Sequence, residues 1–156
     1  MAKIPFYASG LRFSCKRCSV CCRHESGFVF LSEKDVKLLT AELKMDYNGF
    51  TETFCRWVPN EQGREFLSLK EKSNMDCVFW DLGCKVYNSR PAQCRIFPFW
   101  QSVVANSGAW AMAASSCPGM NSGELHDEKE VTACLKQQKE EPAVERKMIR
   151  WDTYAY

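Results

Sequence analysis

The chain has 156 residues, 46% of them hydrophobic and 26% charged, which suits one domain with a compact core and no second. Its formal net charge is +2 and no run of lysine or arginine exceeds two residues, so no nucleic-acid partner is expected. Ten cysteines point instead to disulfides, metal or redox chemistry.

The opening MAKIPFYASGLRF is interrupted by Pro5, Ser9 and Gly10 and has no apolar run of signal-peptide length. No stretch reaches the roughly 18 apolar residues of a membrane helix, so a cytoplasmic protein with no membrane partner is expected. Thiols stay reduced there, which moves the expectation from disulfides to metal ligation. Phe13 to His24 has no apolar periodicity, so something other than a core must order it. GFVFL, Gly27 to Leu31, reads as a short buried strand. Ser32 with Asp35 three residues later is a helix N-cap signature, and Val36, Leu39 and Leu43 share one face. That helix is expected to end near Asn48 and Gly49, with Thr51 capping a second one that carries Phe54 and Trp57 as far as Pro59.

Asn60 to Gly63 is a turn, Glu65 to Leu69 a strand, and Cys77 to Tyr87 a hairpin of CVFW and CKVY joined through Asp81, Leu82 and Gly83. Ser89 is expected to cap a short helical turn with Pro91 in its first turn and Cys94 upon it. A second hairpin follows over Gln101 to Ala114, turning at Asn106 to Gly108. Val131, Cys134, Leu135 and Gln138 mark an amphipathic helix over Asp127 to Glu141, and Pro142 opens a last helix to Arg150 before the tail WDTYAY. The expected fold is α+β. It is a small single domain, 1–156, with short β-hairpins and peripheral helices organised around a cysteine-ligated metal site. Its core covers about 13–120 and a C-terminal helical region about 124–156.

The chemistry concentrates in CKRCSVCC. In CxxC the two intervening residues let the chain turn so that both sulfurs face one ion while backbone N–H groups point toward them. Cys15, Cys18 and Cys21 repeat that interval twice, as do the first three ligands of bacterial ferredoxins, but Cys22 follows at once where x3-C-P would continue. Adjacent cysteines diverge in an extended chain, so Cys21 and Cys22 are read as serving two ions or one multinuclear cluster. Cys77, Cys84, Cys94 and Cys117 are the further candidates, making eight. Eight thiolates suit two four-coordinate sites, either a zinc pair or one or two iron–sulfur clusters, and with two divalent ions they would take the net charge from +2 to about −2. Lys16, Arg17, Arg23, Arg90 and Arg95 stand close in sequence and would favour thiolates.

CKRCSVCC after Phe13, the SEKD helix start at Ser32, CVFWDLGCKVYNSRPAQCRIFPF from Cys77 to Phe99 and Cys117-Pro118-Gly119 together resemble the YkgJ-like cysteine-cluster family, named for CxxCxxCC and described as zinc- or iron-chelating. The resemblance covers most of the chain. It implies that Cys15, Cys18, Cys21, Cys22, Cys77, Cys84, Cys94 and Cys117 are the shared cysteines, with Tyr87, Arg90, Pro91, Arg95 and Pro98 as motif residues. The same motif is similar to one in flagellin lysine N-methylase, an analogy with weaker warrant because a site does not follow from a fold.

Cys134 on its helix's apolar face and Cys55 beside Phe54 read as core thiols, His24 as more than the centre needs, and His126 as an exposed helix-start residue. Arg90 and Arg95 read first as partners of cluster charge and second as an anion site. Phe97, Phe99, Trp100 and Trp110 read as core that also shields the centre. The function expected is therefore a metal-binding protein holding an iron–sulfur cluster or zinc, with an unidentified protein partner or substrate. Behind it stand an iron–sulfur-dependent protein-modifying enzyme of the lysine-methylating kind, or an accessory subunit of one. No GxGxxG follows a strand to supply a Rossmann-type cofactor site for that chemistry. Thiol redox work through Cys15 and Cys18 ranks last, for want of a βαβ context.

Overall fold

A computed structural model describes residues 4–147. Strand β1 (Leu11–Phe13) pairs antiparallel with β4 (Met120–His126), while β2 (Cys55–Pro59), β3 (Arg64–Leu69) and β5 (Glu145–Lys147) form an antiparallel sheet in the order β2-β3-β5. Five α-helices, α1 (Glu33–Leu43), α2 (Tyr47–Phe54), α3 (Ala92–Ile96), α4 (Ser107–Ala114) and α5 (Glu128–Glu140), surround these sheets in one small α+β domain. None is long and apolar enough to cross a membrane among the described residues.

Each sheet lies against its own apolar cluster. Leu31, Val36, Leu39, Phe50, Leu67, Leu69 and Phe79 bury one side of the three-stranded sheet against α1 and α2. Leu11, Phe99, Val104, Trp110, Met120 and Val131 gather the two-stranded sheet with α4 and α5. The short helix α3 is tied to both α1 and the strand-like approach to it. Gln93 accepts from Phe30 N–H at 3.0 Å and donates to Phe28 O at 2.8 Å, and the Asp35 carboxylate accepts from Ala92 N–H at 2.8 Å. That same carboxylate accepts from Ser32 N–H and Oγ–H, at 2.9 and 2.8 Å, completing the capping box expected at Ser32.

Local chemistry explains where the elements differ from the expected ones. Lys44 adopts a left-handed conformation (φ 53°) and ends α1 at Leu43, short of Asn48. Asp46, not Thr51, caps α2 by accepting from Gly49 N–H at 2.7 Å, and Trp57 lies in β2. Asn60 to Gly63 makes the expected turn into β3, Gly63 at φ +72°. Gly27 to Leu31 is no strand of its own. It runs beside β3 through Leu31 N–H to Leu67 O and Leu69 N–H to Val29 O, with one bridge at Phe30.

The CVFW and CKVY strands do not form. Only a bridge between Trp80 and Cys84 and the bond from Lys85 N–H to Phe79 O join the two segments, because Cys77 and Val78 send their N–H groups to Cys22 and Lys70. Ser89 ends a 3-10 turn (Tyr87–Ser89), and Pro91 stands before α3 while Asp35 satisfies its first N–H. Residues 107 to 114 are helix, not hairpin. Asn106, read as a turn residue, accepts from Ala109 N–H at 2.9 Å and caps an alanine-rich segment of high helix propensity. Asp127 caps α5 with a capping box, and Val131 is its buried anchor. Pro142 opens no helix, since Glu145–Lys147 pairs with β3 instead; the rest of that expected helix and the WDTYAY tail lie outside the described residues. His126 belongs to β4, half-buried, its ring 4.9 Å from Phe99 and its Nε2 2.9 Å from Phe13 O.

Candidate metal centre

The cysteine-rich segment begins where β1 is pressed against the start of β4. Ser14 N–H donates to Gly119 O at 3.1 Å, and Ser14 Oγ accepts from Glu124 N–H at 2.9 Å. Two glycines make this approach possible: a Cβ at Gly119 would lie 2.5 Å from Ser14 O, and one at Gly123 would lie 2.1 Å from Ser14 Oγ. Cys15 therefore leaves β1 next to Ser14, which is held against Gly119, two residues after Cys117. From there the loop carries left-handed residues at Arg17 (φ 51°) and Ser19 (φ 65°), then a 3-10 turn over Val20–Cys22.

That turn corrects the geometry expected of an adjacent pair. The chain at Cys21 and Cys22 is coiled, not extended, and their sulfurs stand 3.8 Å apart in a shared hydrogen bond. Two sulfurs at about 2.3 Å from one tetrahedral ion are separated by about 3.8 Å, so the pair already has the spacing of two ligands on one ion.

The second cysteine segment is fastened to the first. Cys77 N–H donates to Cys22 O at 2.7 Å, Arg23 Nε pairs with the buried Asp76 carboxylate at 3.3 Å, and the Arg23 guanidinium lies 3.8 Å over the Trp80 ring. Backbone N–H groups are turned on several sulfurs. Cys15 Sγ accepts from Arg17 N–H at 3.4 Å, and the N–H groups of Phe79 and Val86 act to lower the Cys77 and Cys84 thiols, each from two residues on. Such donors favour thiolates and recur where sulfur holds a metal.

Electrostatics show which thiols are neighbours. The hydrogen bond from Cys22 holds the Cys21 thiol well below its ordinary range, and the same bond, with burial and the charges of Cys21, Cys77 and Cys94, pushes Cys22 up. Burial raises Cys94, helped by Cys77, Cys21 and Cys84 and opposed by Arg90. Burial likewise raises Cys77 and Cys84, against the N–H groups of Phe79 and Val86. Cys21, Cys22, Cys77, Cys84 and Cys94 thus come from three separated segments into one another's field, with Arg90 among them.

The Arg90 guanidinium lies 3.6 Å over the Tyr87 ring, and that of Arg17, from the CxxC loop, lies 4.0 Å over the same ring. Arg95 donates to Arg90 O and steadies its backbone. Arg90 Nε is buried with no hydrogen-bond partner, an orphan donor beside sulfur-rich surroundings.

Cys15 and Cys18, like Cys21, are exposed, and Cys117 is half-buried against the second apolar cluster. Cys55 is buried in the first cluster and Cys134 packs on the second; all ten cysteines are unpaired as disulfides. His24 is exposed. Among the described residues no three Cys, His, Asp or Glu side chains stand close enough to hold one ion. The donor set nevertheless fits a thiophilic metal: clustered sulfurs, N–H donors turned on them and a buried cation without a partner. A surface cleft of about 420 Å³, between the start of α1, α3 and the end of α5, contains no cysteine in its lining. Ser14, Asp76 and Trp80, which hold the segments in place, carry no sequence signal of their own.

A family model named CxxCxxCC, "Putative zinc- or iron-chelating domain", matches residues 14–118. An uncharacterized protein of Methanocaldococcus jannaschii, MJ0661, is 27% identical over 100 residues, covering 62% of this chain and 50% of its own length. The chain therefore spans about half of that curated relative. No solved structure matches.

Proposed function

This chain belongs to the CxxCxxCC family of zinc- or iron-chelating domains, and on that premise we propose that Cys21, Cys22, Cys77, Cys84 and Cys94 supply the ligands of one centre, with Cys15, Cys18 and Cys117 completing an eight-cysteine set. The observation that carries the reading is the gathering of five thiols from three segments, two of them with sulfurs 3.8 Å apart. A bound ion supplies the cross-link between these segments and neutralises the thiolates' mutual repulsion. The chain's part is to present sulfurs, turn N–H groups on them and keep Cys22, Cys77 and Cys94 from water.

The 3.8 Å spacing also bears on which metal. It suits two thiolates on a single zinc or iron ion, or on one iron of a two-iron cluster, in which each iron takes two cysteines. In a four-iron cluster each iron takes one cysteine, which separates neighbouring ligand sulfurs further.

The test is metal analysis with visible absorption on anaerobically purified protein. The expected result is about one or more zinc or iron per chain. Zinc thiolates are colourless and iron–sulfur centres brown. Cys22→Ser should lower the bound metal, whereas Cys134→Ser should leave it unchanged. Less than about one metal per chain, with a fold indifferent to chelator, would refute the reading.

A further inference from the structure

We propose that Arg90 is the built-in counter-cation of the cysteine centre, held in place by the face of Tyr87, so that it acts as a positioning residue for metal and not as an anchor of the fold alone. The inference rests on the metal-binding reading above. Three independent features of Arg90 carry it.

Its guanidinium is fixed. The plane lies 3.6 Å over Tyr87, whose ring also receives Arg17 at 4.0 Å, and Arg95 donates to the Arg90 carbonyl. Its donor capacity is unspent: Nε is buried and unpaired, which is unfavourable unless a partner arrives. Its place is among the cysteine segments: it lies six residues after Cys84 and four before Cys94, and the ring it stacks on also holds Arg17, between Cys15 and Cys18. No carboxylate pairs with it among the described ion pairs.

A divalent ion with four thiolates carries a net charge of about −2, and a buried anion needs a compensating cation or hydrogen-bond donors. Arginine suits this place better than lysine, because its planar group stacks on an aromatic ring and still presents N–H donors at its edge. Arg17 contributes differently. It rides on the exposed CxxC loop and, by stacking on the same ring, joins that loop to the second cysteine segment. Tyr87 thus links the position of the loop to the position of the counter-cation.

The experiment measures zinc affinity of the full chain by competition with a chelating dye under reducing, anaerobic conditions, with circular dichroism to follow folding. Arg90→Gln should bind zinc about 10- to 100-fold more weakly at unchanged stoichiometry, the usual cost of losing an outer partner of a metal ligand. Arg90→Lys should recover part of that loss. Arg146→Gln, which removes a cation stacked at 4.1 Å on Trp57 of β2, should change nothing.

Equal affinity in Arg90→Gln and the parent chain would overturn the proposal, as would Arg90→Lys binding no better than Arg90→Gln. Should Arg90→Gln fail to fold, Tyr87→Leu decides: it leaves the charge but not its seat, and should weaken zinc about 3- to 10-fold by the same outer-partner reasoning. Parent-like affinity there overturns the proposal. Failure of the parent chain itself to bind zinc or iron would overturn the metal-binding reading and this inference together, a result distinct from failure in the variants alone.

Discussion

Asp35→Ala should show that one buried carboxylate holds both the first helix and the helix that bears Cys94. Asp35 is 2% exposed and accepts three hydrogen bonds, from Ser32 N–H at 2.9 Å, Ser32 Oγ–H at 2.8 Å and Ala92 N–H at 2.8 Å. Truncation strands two backbone donors, of which Ala92 N–H is buried with its residue. At about 1–2 kcal/mol for each stranded donor, the loss is about 3 kcal/mol, a fall of about 10 °C in melting temperature for a chain of this size. Urea unfolding of the metal-free protein measures it directly. Ser32→Ala serves as the comparison, since it disturbs the cap of α1 without touching α3. Its cost should be about 1 kcal/mol. Because α3 starts two residues before Cys94, Asp35→Ala should also weaken zinc, and Ser32→Ala should not. A loss below about 1 kcal/mol, or one no larger than that of Ser32→Ala, would refute the reasoning.

Two further outcomes follow from close contacts and from burial. Gly119→Ala would set a Cβ 2.5 Å from Ser14 O and force β1 away from β4, costing about 2–3 kcal/mol in urea unfolding, whereas Gly27→Ala, with nothing within 4 Å, should stay within about 0.5 kcal/mol. Burial pushes the Cys55 thiol up to about 12 from an ordinary value of 9.0, so it stays protonated in the folded chain while the unfolded chain ionises. Unfolding then releases a proton at alkaline pH. This contribution is whole below pH 9 and declines by up to about 1.4 kcal/mol per pH unit toward pH 12. Stability measured at pH 8 and 10 should converge between the parent chain and Cys55→Ala by about 1 kcal/mol, and a constant difference would contradict the burial argument.

What was legible in the sequence was local. Ser32 with Asp35, the helix over Asp127 to Glu141, and the Asn60 to Gly63 turn each work through neighbours a few residues apart, and each formed as read. Asn106 misled because asparagine serves equally as a turn residue and as a helix cap, and the alanines after it decided the outcome. The alternation in CVFW and CKVY promised strands, yet the N–H of Cys77 was claimed by Cys22, 55 positions away, a partner that no local pattern announces. Strand β1 was invisible because three residues have no measurable period, and its pairing with β4 depends on Gly119 admitting Ser14. For the proposed centre, the family resemblance named candidate cysteines but said nothing of their grouping. The coil at Val20–Cys22, which brings two adjacent sulfurs together, and the stack of Arg17 and Arg90 on Tyr87 are products of tertiary contact.

The pairing of β1 with β4 sets an order of events during synthesis. Chains emerge from the ribosome amino end first, so the four thiols of Cys15 to Cys22 are in solution well before the strand that seats Ser14 exists. Cys94 follows more than 70 positions later, and Met120–His126 later still. Until then the early thiols have no partner strand over them and stand open to oxidants and soft metals. For the centre proposed above, loading would then be a late step, complete only when the far end of the chain arrives to close the site.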